Sequence, residues 1–181
     1  MMKVIRLAIE SLHLALDFKP IFTKKFNKMN VLAPISTLMS KNLVTVNPED
    51  KLTTVKEIFE KHNIHHIPVV RFKQIVGMVS KTDFMYFMRG FTRNEDDKFV
   101  NEARLRAYRV EDIMTKGLAK VDPHDRINVA LEVFKVNRFH AIPVVENEEL
   151  VGIVTTFDII RALADEKVTS EQILESNKIK D

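Results

Sequence analysis

The 181-residue chain has no cysteine and no tryptophan, and it has only four glycines. Without cysteine there can be no disulfide, no thiolate nucleophile and no cysteine-liganded zinc site, so we expect a cytoplasmic protein. The few glycines form neither a GxGxxG nor a GxxxxGK[ST] string, which excludes the two commonest phosphate-binding loops. Any nucleotide site must therefore be built from other groups.

Charge and hydropathy exclude two further classes of protein. The 28 basic and 25 acidic residues leave a net charge of +3, which is too small to predict nucleic acid as the main ligand, so no DNA binding is expected. The longest stretch without a charged residue is residues 29–40, whereas a membrane-spanning helix needs roughly 18 to 20 apolar residues. We expect no integral membrane segment and, because Glu10 and Asp17 interrupt the apolar N-terminal stretch, no signal peptide.

An internal repeat is the most informative feature of the sequence. Residues 36–88 align with residues 111–163 at a constant offset of 75 positions without a gap, and 17 of the 53 pairs are identical. Two of the four glycines and four of the six prolines lie at matched positions. Chance similarity between helices would not reproduce the glycine and proline positions, so we interpret the chain as two copies of one structural unit.

The first half of each copy predicts a strand followed by a helix. The strand is expected at residues 43–46, after Asn42, whose counterpart Gly117 indicates a turn with positive φ. A helix follows, with Asp50 as its N-cap and an apolar residue at every third or fourth position, and it ends near His62.

The second half of each copy predicts a β-hairpin and a short helix, giving the order β-α-β-β-α. Two β-branched runs, residues 67–70 and 75–79, are separated by a short polar connection. Pro68 has no N–H to donate, so its strand should lie at a sheet edge or begin there. A unit of 53 residues is small for independent stability, because it buries only about 60% of the surface of its unfolded chain. We therefore expect a mixed α/β fold in which the two units pack as a pseudo-twofold pair.

These patterns divide the chain into five segments. They are an N-terminal helical extension (1–30), a first domain (31–88), a partly helical linker (89–109), a second domain (110–166) and a charged C-terminal tail (167–181). Two interpretations of the extension stay open. Its apolar face docks on the rest of the protein, on a second copy or on a membrane surface, or else Met29 is the true start of translation.

Three short strings occur in the same order in each copy. They are VTVNP at 44–48, HHIPVV at 65–70 and GMVSKTD at 77–83, and then VDP at 121–123, HAIPVV at 140–145 and GIVTTFD at 152–158. These strings resemble the cystathionine-β-synthase (CBS) domain, which usually occurs as a tandem pair called a Bateman module. The resemblance implies a regulatory or sensory module rather than an enzyme, with AMP, ADP, ATP or S-adenosylmethionine as ligand and no required cofactor. It also implies a homodimer and signalling to an effector protein.

Each copy offers the residue types that a nucleotide needs. A carboxylate in the first turn of a helix can accept hydrogen bonds from a ribose cis-diol, and a nearby hydroxyl and helix N–H groups can bind a phosphate. The strand residues around Ile67 and Ile142 would flank an adenine ring. The nucleotide-binding residues predicted in this way are Thr45, His65, His66, Ile67, Pro68, Ser80, Lys81, Asp83, Lys120, Arg138, His140, Ile142, Pro143, Thr155 and Asp158.

The two predicted sites are not equal. In the family, a basic residue often follows the repeated histidine and reaches a phosphate, but here His66 occupies this position in the first copy and Ala141 in the second. Lys81 adds a cation to the first site only, and Arg138 is a candidate substitute in the second. We therefore predict that the first site tolerates more phosphate charge than the second.

Simpler interpretations remain for the same residues. In one alternative, the sole role of Asp83 and Asp158 is to stabilise helix N-termini, at about 0.3 to 1 kcal/mol each. The protein is then a ligand-free interaction or oligomerisation scaffold. His62, His65 and His66 could be metal ligands, but no carboxylate or cysteine completes the set and no metal site is expected. The sequence contains no Ser-His-Asp order and no HExxH motif, so catalysis is not expected.

Overall fold

The computed structural model describes residues 29–89, 98–137 and 140–165, and those from Asn30 onward belong to one compact unit. The fold is mixed α/β, with each hairpin forming its own two-stranded sheet. Its elements are α1 (Leu52–Lys61), β1 (His66–Arg71), β2 (Gln74–Ser80), α2 (Lys81–Arg89), α3 (Lys98–Ala107), α4 (Ile127–Asn137), β3 (Ala141–Glu146), β4 (Glu149–Thr155) and α5 (Thr156–Ala164). Single-turn 3₁₀ helices at Ile35–Thr37 and Val110–Asp112 lie at the start of the two copies. The predicted extension up to residue 28 and the predicted tail lie outside the described residues.

Helix α1 forms as its apolar spacing predicts, although its N-cap differs from the prediction. The helix ends one residue before His62, as expected. Its N-cap is Lys51 rather than Asp50, and Lys51 makes no capping bond with its side chain. The carboxylate of Asp50 is used earlier, because its Oδ2 accepts a hydrogen bond from the N–H of Asn47 at 2.7 Å. The side chains that face the core are those of Leu52, Val55 and Phe59.

Both predicted hairpins form, each with a two-residue connection. β1 pairs with β2 and β3 with β4, in antiparallel register with one register shift in each pair. The connecting residues Phe72, Lys73, Asn147 and Glu148 all have positive φ, as a two-residue type I′ connection requires. Each strand of a two-stranded sheet is an edge strand, so Pro68 lies where its missing N–H predicts.

The predicted first strand at residues 43–46 is reduced to a single bridge residue. Val46 bridges Val69 in parallel and makes two backbone hydrogen bonds with β1, of 2.9 and 3.1 Å. Pro48 follows two residues later and has no N–H with which to continue the ladder. Val121 makes the equivalent parallel bridge in the second copy.

The segment at the start of each copy packs on the opposite copy. We call residues 33–40 the first strap and residues 108–115 the second strap. Ser40 of the first strap exchanges two backbone hydrogen bonds with Ile153 in β4, at 2.9 and 3.0 Å. Thr115 of the second strap exchanges an equivalent pair with β2, also at 2.9 and 3.0 Å. Because both exchanges follow the 75-residue offset, the two copies form the expected pseudo-twofold pair.

Each strap is anchored by a buried aliphatic residue. Ile35 in the first strap and Val110 in the second are 0% exposed. Their N–H groups donate to the carbonyl groups of Asp125 and Asp50, at 2.8 and 2.9 Å. Each copy therefore completes its core with a residue that precedes the other copy in sequence.

One glycine in each hairpin makes room for a methionine of the strap that lies on it. A Cβ atom built on Gly77 would lie 2.5 Å from Sδ of Met114, and one built on Gly152 would lie 2.7 Å from Sδ of Met39. Atoms cannot pack that closely, so both positions require glycine while the methionines keep their places. The same contact between a glycine and a methionine thus occurs in both copies. It explains why Gly77 matches Gly152 and Met39 matches Met114 in the repeat.

The linker contains α3, which packs on the first copy. Leu105 is 5% exposed and joins the hydrophobic cluster that includes Val55 and Phe59. The rings of Phe87 and Tyr108 meet edge-on, with centroids 5.0 Å apart. The linker helix expected to run through residues 104–106 is confirmed, and its expected start at residues 94–97 lies outside the described residues.

Candidate functional site

The last strand of each copy leads directly into a helix, and this junction carries the predicted hydroxyl and carboxylate groups. In the second copy, Thr155 is the N-cap of α5, and its N–H and hydroxyl donate to Oδ2 of Asp158 at 2.8 and 2.6 Å. Asp158 N–H donates back to the threonine hydroxyl at 3.2 Å. In the first copy, the hydroxyl of Ser80 donates to Oδ2 of Asp83 at 2.6 Å and accepts from Asp83 N–H at 3.0 Å. Each junction is a capping arrangement of hydroxyl and carboxylate.

These bonds hold each carboxylate at a helix N-terminus with one oxygen in use. Both aspartates accept through Oδ2, and within the described ranges no hydrogen bond reaches Oδ1 of either residue. Asp83 is exposed and Asp158 is half-buried. Each carboxylate can thus stabilise its helix and still accept a hydrogen bond from a ligand hydroxyl through Oδ1.

The repeated histidines lie at the same junctions. The N–H of Lys81, the first residue of α2, donates to the carbonyl group of His65 at 2.8 Å. The N–H of Thr156, the first residue of α5, donates to the carbonyl group of His140 at 3.1 Å. These bonds tie the start of one strand to the start of the following helix. The sequence-predicted residues brought together in this way are His65, Ser80, Lys81 and Asp83 in the first copy, and His140, Thr155 and Asp158 in the second.

His66 is half-buried at the start of β1 and its charged form is disfavoured. Burial lowers the pKa of His66 below its usual value, the charges of His140 and His65 lower it further, and Asp83 acts in the opposite direction. The influence of His140 comes from the other copy. A neutral imidazole is therefore favoured at the position where the family pattern implies a cation for a phosphate.

A cavity of about 210 Å³ lies between residues of the two copies. Ile75 and Val76 of β2 line one part of it, and Gly117, Leu118 and Lys120 line the rest. Lys120 is a predicted site residue, whereas the other four were not predicted. The sequence gives little indication that these four residues line a cavity, because apolar residues in a hairpin and before a bridge are expected for packing alone.

Gly117 takes the positive φ that its pairing with Asn42 predicts, whereas Asn42 does not. The φ of Gly117 is 68°, and a Cβ there would meet no atom within 4 Å, so backbone conformation rather than space requires the glycine. The prediction for Asn42 is wrong because the first copy turns differently. The N–H of Leu43 donates to the carbonyl group of Lys41 at 3.0 Å, which closes a three-residue turn around Asn42.

The apolar residues predicted beside an adenine ring are part of the core. Ile67 and Ile142 are 0% exposed, and Pro68 and Pro143 are also buried. Because these side chains are buried, the strands can contact a ligand only through their backbone atoms.

The positions before the two parallel bridges differ in charge. Thr45 in the first copy and Lys120 in the second are equivalent, and both are exposed. Lys120 gives the second copy a cation that the first lacks. This offsets the cation that Lys81 gives to the first copy, where the second has Thr156. Arg138 lies outside the described residues.

Metal-binding groups are not clustered in the part of the chain that the structure describes. No three histidine, aspartate or glutamate side chains there are arranged to hold a metal ion. Among the same residues, every helix is too short or too polar to cross a bilayer.

Similar sequences occur in proteins of different kinds. The chain is 26% identical over 125 residues to inosine-5′-monophosphate dehydrogenase of Thermoplasma acidophilum, over 68% of this chain and 22% of that enzyme. It is 27% identical over 165 residues to an uncharacterised protein of Methanocaldococcus jannaschii, over 76% of this chain and 96% of that protein. It is 26% identical over 125 residues to human 5′-AMP-activated protein kinase subunit gamma-3, over 68% of this chain and 25% of that subunit. The chain therefore spans about a fifth to a quarter of the dehydrogenase and of the kinase subunit.

Solved structures share the fold. The CBS domain pair of protein MJ0100, in complex with 5′-methylthioadenosine and S-adenosyl-L-methionine, gives a TM-score of 0.61 at 22% identity, over 75% of this chain and 99% of that one. CBSX2 in complex with AMP gives 0.63 at 23% identity, over 75% and 99%. The CBS domain family matches at residues 35–90 and again at residues 110–165. These two matches cover more than half of the sequence, and the chain therefore belongs to the CBS domain family, whose domain it contains as a tandem pair.

Proposed function

We propose that this tandem CBS domain pair is a cytoplasmic regulatory module that binds an adenosine-containing ligand between its copies and signals to a partner protein by a conformational shift. The observation that carries the proposal is the junction of hydroxyl, carboxylate and helix N-terminus, which occurs once in each copy. The related pairs solved with AMP, or with 5′-methylthioadenosine and S-adenosyl-L-methionine, support this ligand class. The candidate ligands are AMP, ADP, ATP and S-adenosylmethionine.

Each junction offers groups complementary to a ribose and a phosphate. In the second copy, Oδ1 of Asp158 accepts from a ribose hydroxyl while Oδ2 remains in the cap. The N-terminal end of α5 then stabilises the charge of a phosphate, and Thr155 donates to that phosphate only if its hydroxyl releases Oδ2 of Asp158. Asp83 and Ser80 take the same roles in the first copy.

The cavity lined by both copies supports the position of the base. Ile75, Val76 and Leu118 form the apolar part of its lining, and Lys120 adds a positive charge. Its volume of about 210 Å³ is below the roughly 300 to 1,000 Å³ usual for ligand pockets, so it holds no more than the base of a nucleotide.

A ligand in this cavity acts on the arrangement of the two copies because it contacts both. β2 belongs to the first copy, and residues 117–120 belong to the second. A ligand shifts a conformational equilibrium only by its difference in affinity between the two states. A ligand that contacts both copies has such a difference when its contacts change with their arrangement, and the partner protein responds to the favoured arrangement.

We also propose that the module forms a homodimer. On α5, Phe157 and Ile160 are both 60% exposed and Leu163 is 46% exposed. Residues spaced by three lie on one helix face, so together they form an apolar surface on the outside of the second copy. Sedimentation velocity on the Ile160→Lys variant tests this proposal, with Lys135→Glu on α4 as the charge control. Dissociation of the first variant only is the expected result, and a monomeric native protein would contradict the proposal.

A ligand-free scaffold is the second candidate function, and the caps themselves favour it. The hydrogen bonds of Asp83 and Asp158 already explain both carboxylates as helix-stabilising groups, without any ligand. Under this alternative, the apolar face of α5 and the paired copies serve assembly alone.

Isothermal titration calorimetry separates the two functions. Nucleotide-stripped protein is titrated with AMP, ADP, ATP, S-adenosylmethionine and NADH, and the titrations are repeated with Asp83→Asn and Asp158→Asn. Asparagine still accepts the capping bonds but lacks the charge, so a ligand contact weakens by roughly 10- to 100-fold while the helix stays capped. Glu57→Gln, an exposed change on α1, is the charge control. If all five ligands fail to bind the folded native protein, the scaffold function is supported.

A further inference from the structure

The two methionines of the straps make their closest contact with the opposite copy through sulfur. Measured from the Cβ position of Gly77, Sδ of Met114 lies at 2.5 Å and its Cγ at 2.9 Å. Measured from the Cβ position of Gly152, Sδ of Met39 lies at 2.7 Å and its Cγ at 3.1 Å. In each case the sulfur fills the space that a side chain of the hairpin would otherwise take.

Each sulfur contact is adjacent to the strap's hydrogen bonds. Ser40 follows Met39 directly and exchanges two backbone hydrogen bonds with β4. Thr115 follows Met114 and exchanges two with β2. The backbone oxygens of these residues also lie close to the glycines, at 3.2 and 3.1 Å from the respective Cβ positions. A group that no longer fits beside the glycine therefore displaces the residue that carries the hydrogen bonds.

Thioethers are the oxidisable sulfur groups of this chain, which has eight methionines and no cysteine. Hydrogen peroxide transfers one oxygen atom to a thioether, R–S–CH₃ + H₂O₂ → R–S(=O)–CH₃ + H₂O. The sulfur lone pair forms the new S–O bond, the O–O bond breaks, and the second oxygen leaves as water. The product is a larger, polar and chiral side chain that methionine sulfoxide reductases return to methionine.

Both strap methionines are half-buried rather than fully enclosed, and the atom that peroxide modifies is the atom packed against glycine. An oxygen on that sulfur enlarges and polarises the group that contacts glycine, which disfavours its packed position against the hairpin. We propose that Met39 and Met114 form a reversible, peroxide-sensitive release of the straps, in which sulfoxide formation frees each strap from the opposite hairpin. The relative arrangement of the two copies then responds to oxidants as well as to a ligand.

Hydrogen exchange on the full chain tests this proposal without reference to nucleotide binding. The protein is treated with hydrogen peroxide, oxidised methionines are identified by peptide mass spectrometry, and amide exchange is followed in peptides that contain Ser40 and Thr115. Loss of a sulfur contact and its packing is expected to raise exchange in both straps by roughly tenfold. Treatment with methionine sulfoxide reductases A and B and a thiol reductant should restore the slow exchange.

Leucine variants show whether the effect arises at these two sulfurs. Leucine has nearly the volume of methionine but resists peroxide, so Met39→Leu with Met114→Leu should keep slow strap exchange after treatment. If the double variant does not fold, each single variant should protect its own strap only. Met85→Leu is the control, because Met85 is 43% exposed on α2 and lies outside the straps. Unchanged strap exchange in protein oxidised at Met39 and Met114 would overturn the proposal, as would failure of peroxide to oxidise them while Met85 is converted.

Discussion

The two copies share a backbone path but differ in the charges placed along it. In the first copy, Glu49 forms an ion pair with Arg71 at the end of β1. The equivalent residues of the second copy are His124 and Glu146, with Nε2 and Oε1 3.5 Å apart, so acid and base have exchanged places. Exposed pairs of this kind contribute little to stability, so either order is tolerated.

The positions that remain identical have a different character. Gly77 and Gly152 admit a methionine sulfur, and Pro68 and Pro143 occupy the same register in β1 and β3. Backbone geometry and close packing therefore explain these matched positions, whereas the unmatched positions of the two ion pairs carry exposed charges. The comparison teaches that the fold depends on the matched residues, and that differences in ligand binding between the copies depend on the unmatched ones.

The largest effect is expected from removal of the strap anchors. Ile35→Ala should lower the free energy of unfolding by about 2 to 5 kcal/mol, because the side chain is fully buried in the opposite copy. Val110→Ala should lower it by less, because fewer carbon atoms are removed from an equivalent position. Urea unfolding of both variants measures the two losses. A large loss for one variant and none for the other would show that the straps are not equivalent.

A smaller effect is expected at the glycines under the straps. Gly77→Ala and Gly152→Ala should each cost about 1 to 3 kcal/mol of stability, because each Cβ overlaps a methionine sulfur. Shortening the opposing methionine tests the cause. Met114→Ala should restore part of the loss in Gly77→Ala but none of the loss in Gly152→Ala, and thermal unfolding of the double variants provides the measurement. Equal restoration of both would contradict the paired contact.

Substitutions in the turns that contain Gly117 and Asn42, before the bridge residues Val121 and Val46, should change the free energy of unfolding by a smaller amount. Gly117→Ala should cost about 1 to 2 kcal/mol, because a side chain must then adopt the positive φ that glycine tolerates. Asn42→Ala should change stability by less than about 0.5 kcal/mol, because Asn42 is exposed and has no positive φ. Thermal unfolding of both variants checks the contrast, and equal losses would contradict the difference in turn geometry.

The sequence predicted those parts of the fold that depend on local pattern. The hairpins, the apolar face of α1 and its end before His62 all follow from residue spacing and are confirmed. The residue type of Asp50 predicts the N-cap of α1, but its carboxylate closes the preceding turn through Asn47. Residue type alone does not decide between two nearby N–H groups.

The exchange of straps could not be predicted, because its pairings use backbone atoms far apart in sequence. The hydrogen bonds between Ser40 and Ile153 place no requirement on either side chain. The matched glycines and methionines carried the only signal, and their meaning depended on knowing which strap crosses which hairpin. The cavity lining of Ile75, Val76 and Leu118 was missed for the same reason, since it forms only when the two copies meet.

The last and smallest expected effect concerns His66, which the second copy replaces with Ala141. The pKa of His66 in the folded protein lies below its ordinary value of 6.5, mainly because of burial and then because of His140 and His65, with Asp83 opposing. Below pH 6.5 the unfolded chain therefore binds a proton that folded His66 resists, so this residue's contribution to stability falls as the pH falls. Above pH 6.5 both states are neutral at this position, and the contribution is constant.

His66→Ala converts the first copy to the residue of the second and should remove this pH dependence. Relative to the variant, the native protein should lose unfolding free energy below pH 6.5, with a slope that corresponds to at most one proton. A cavity left by the substitution shifts the whole curve but not its slope, so urea unfolding from pH 5 to pH 8 separates the two effects. Parallel curves across that range would contradict the assignment. A phosphate bound beside His66 must raise its pKa again, so nucleotide binding in the first copy should take up a proton below pH 6.5, and His66→Ala should abolish this uptake.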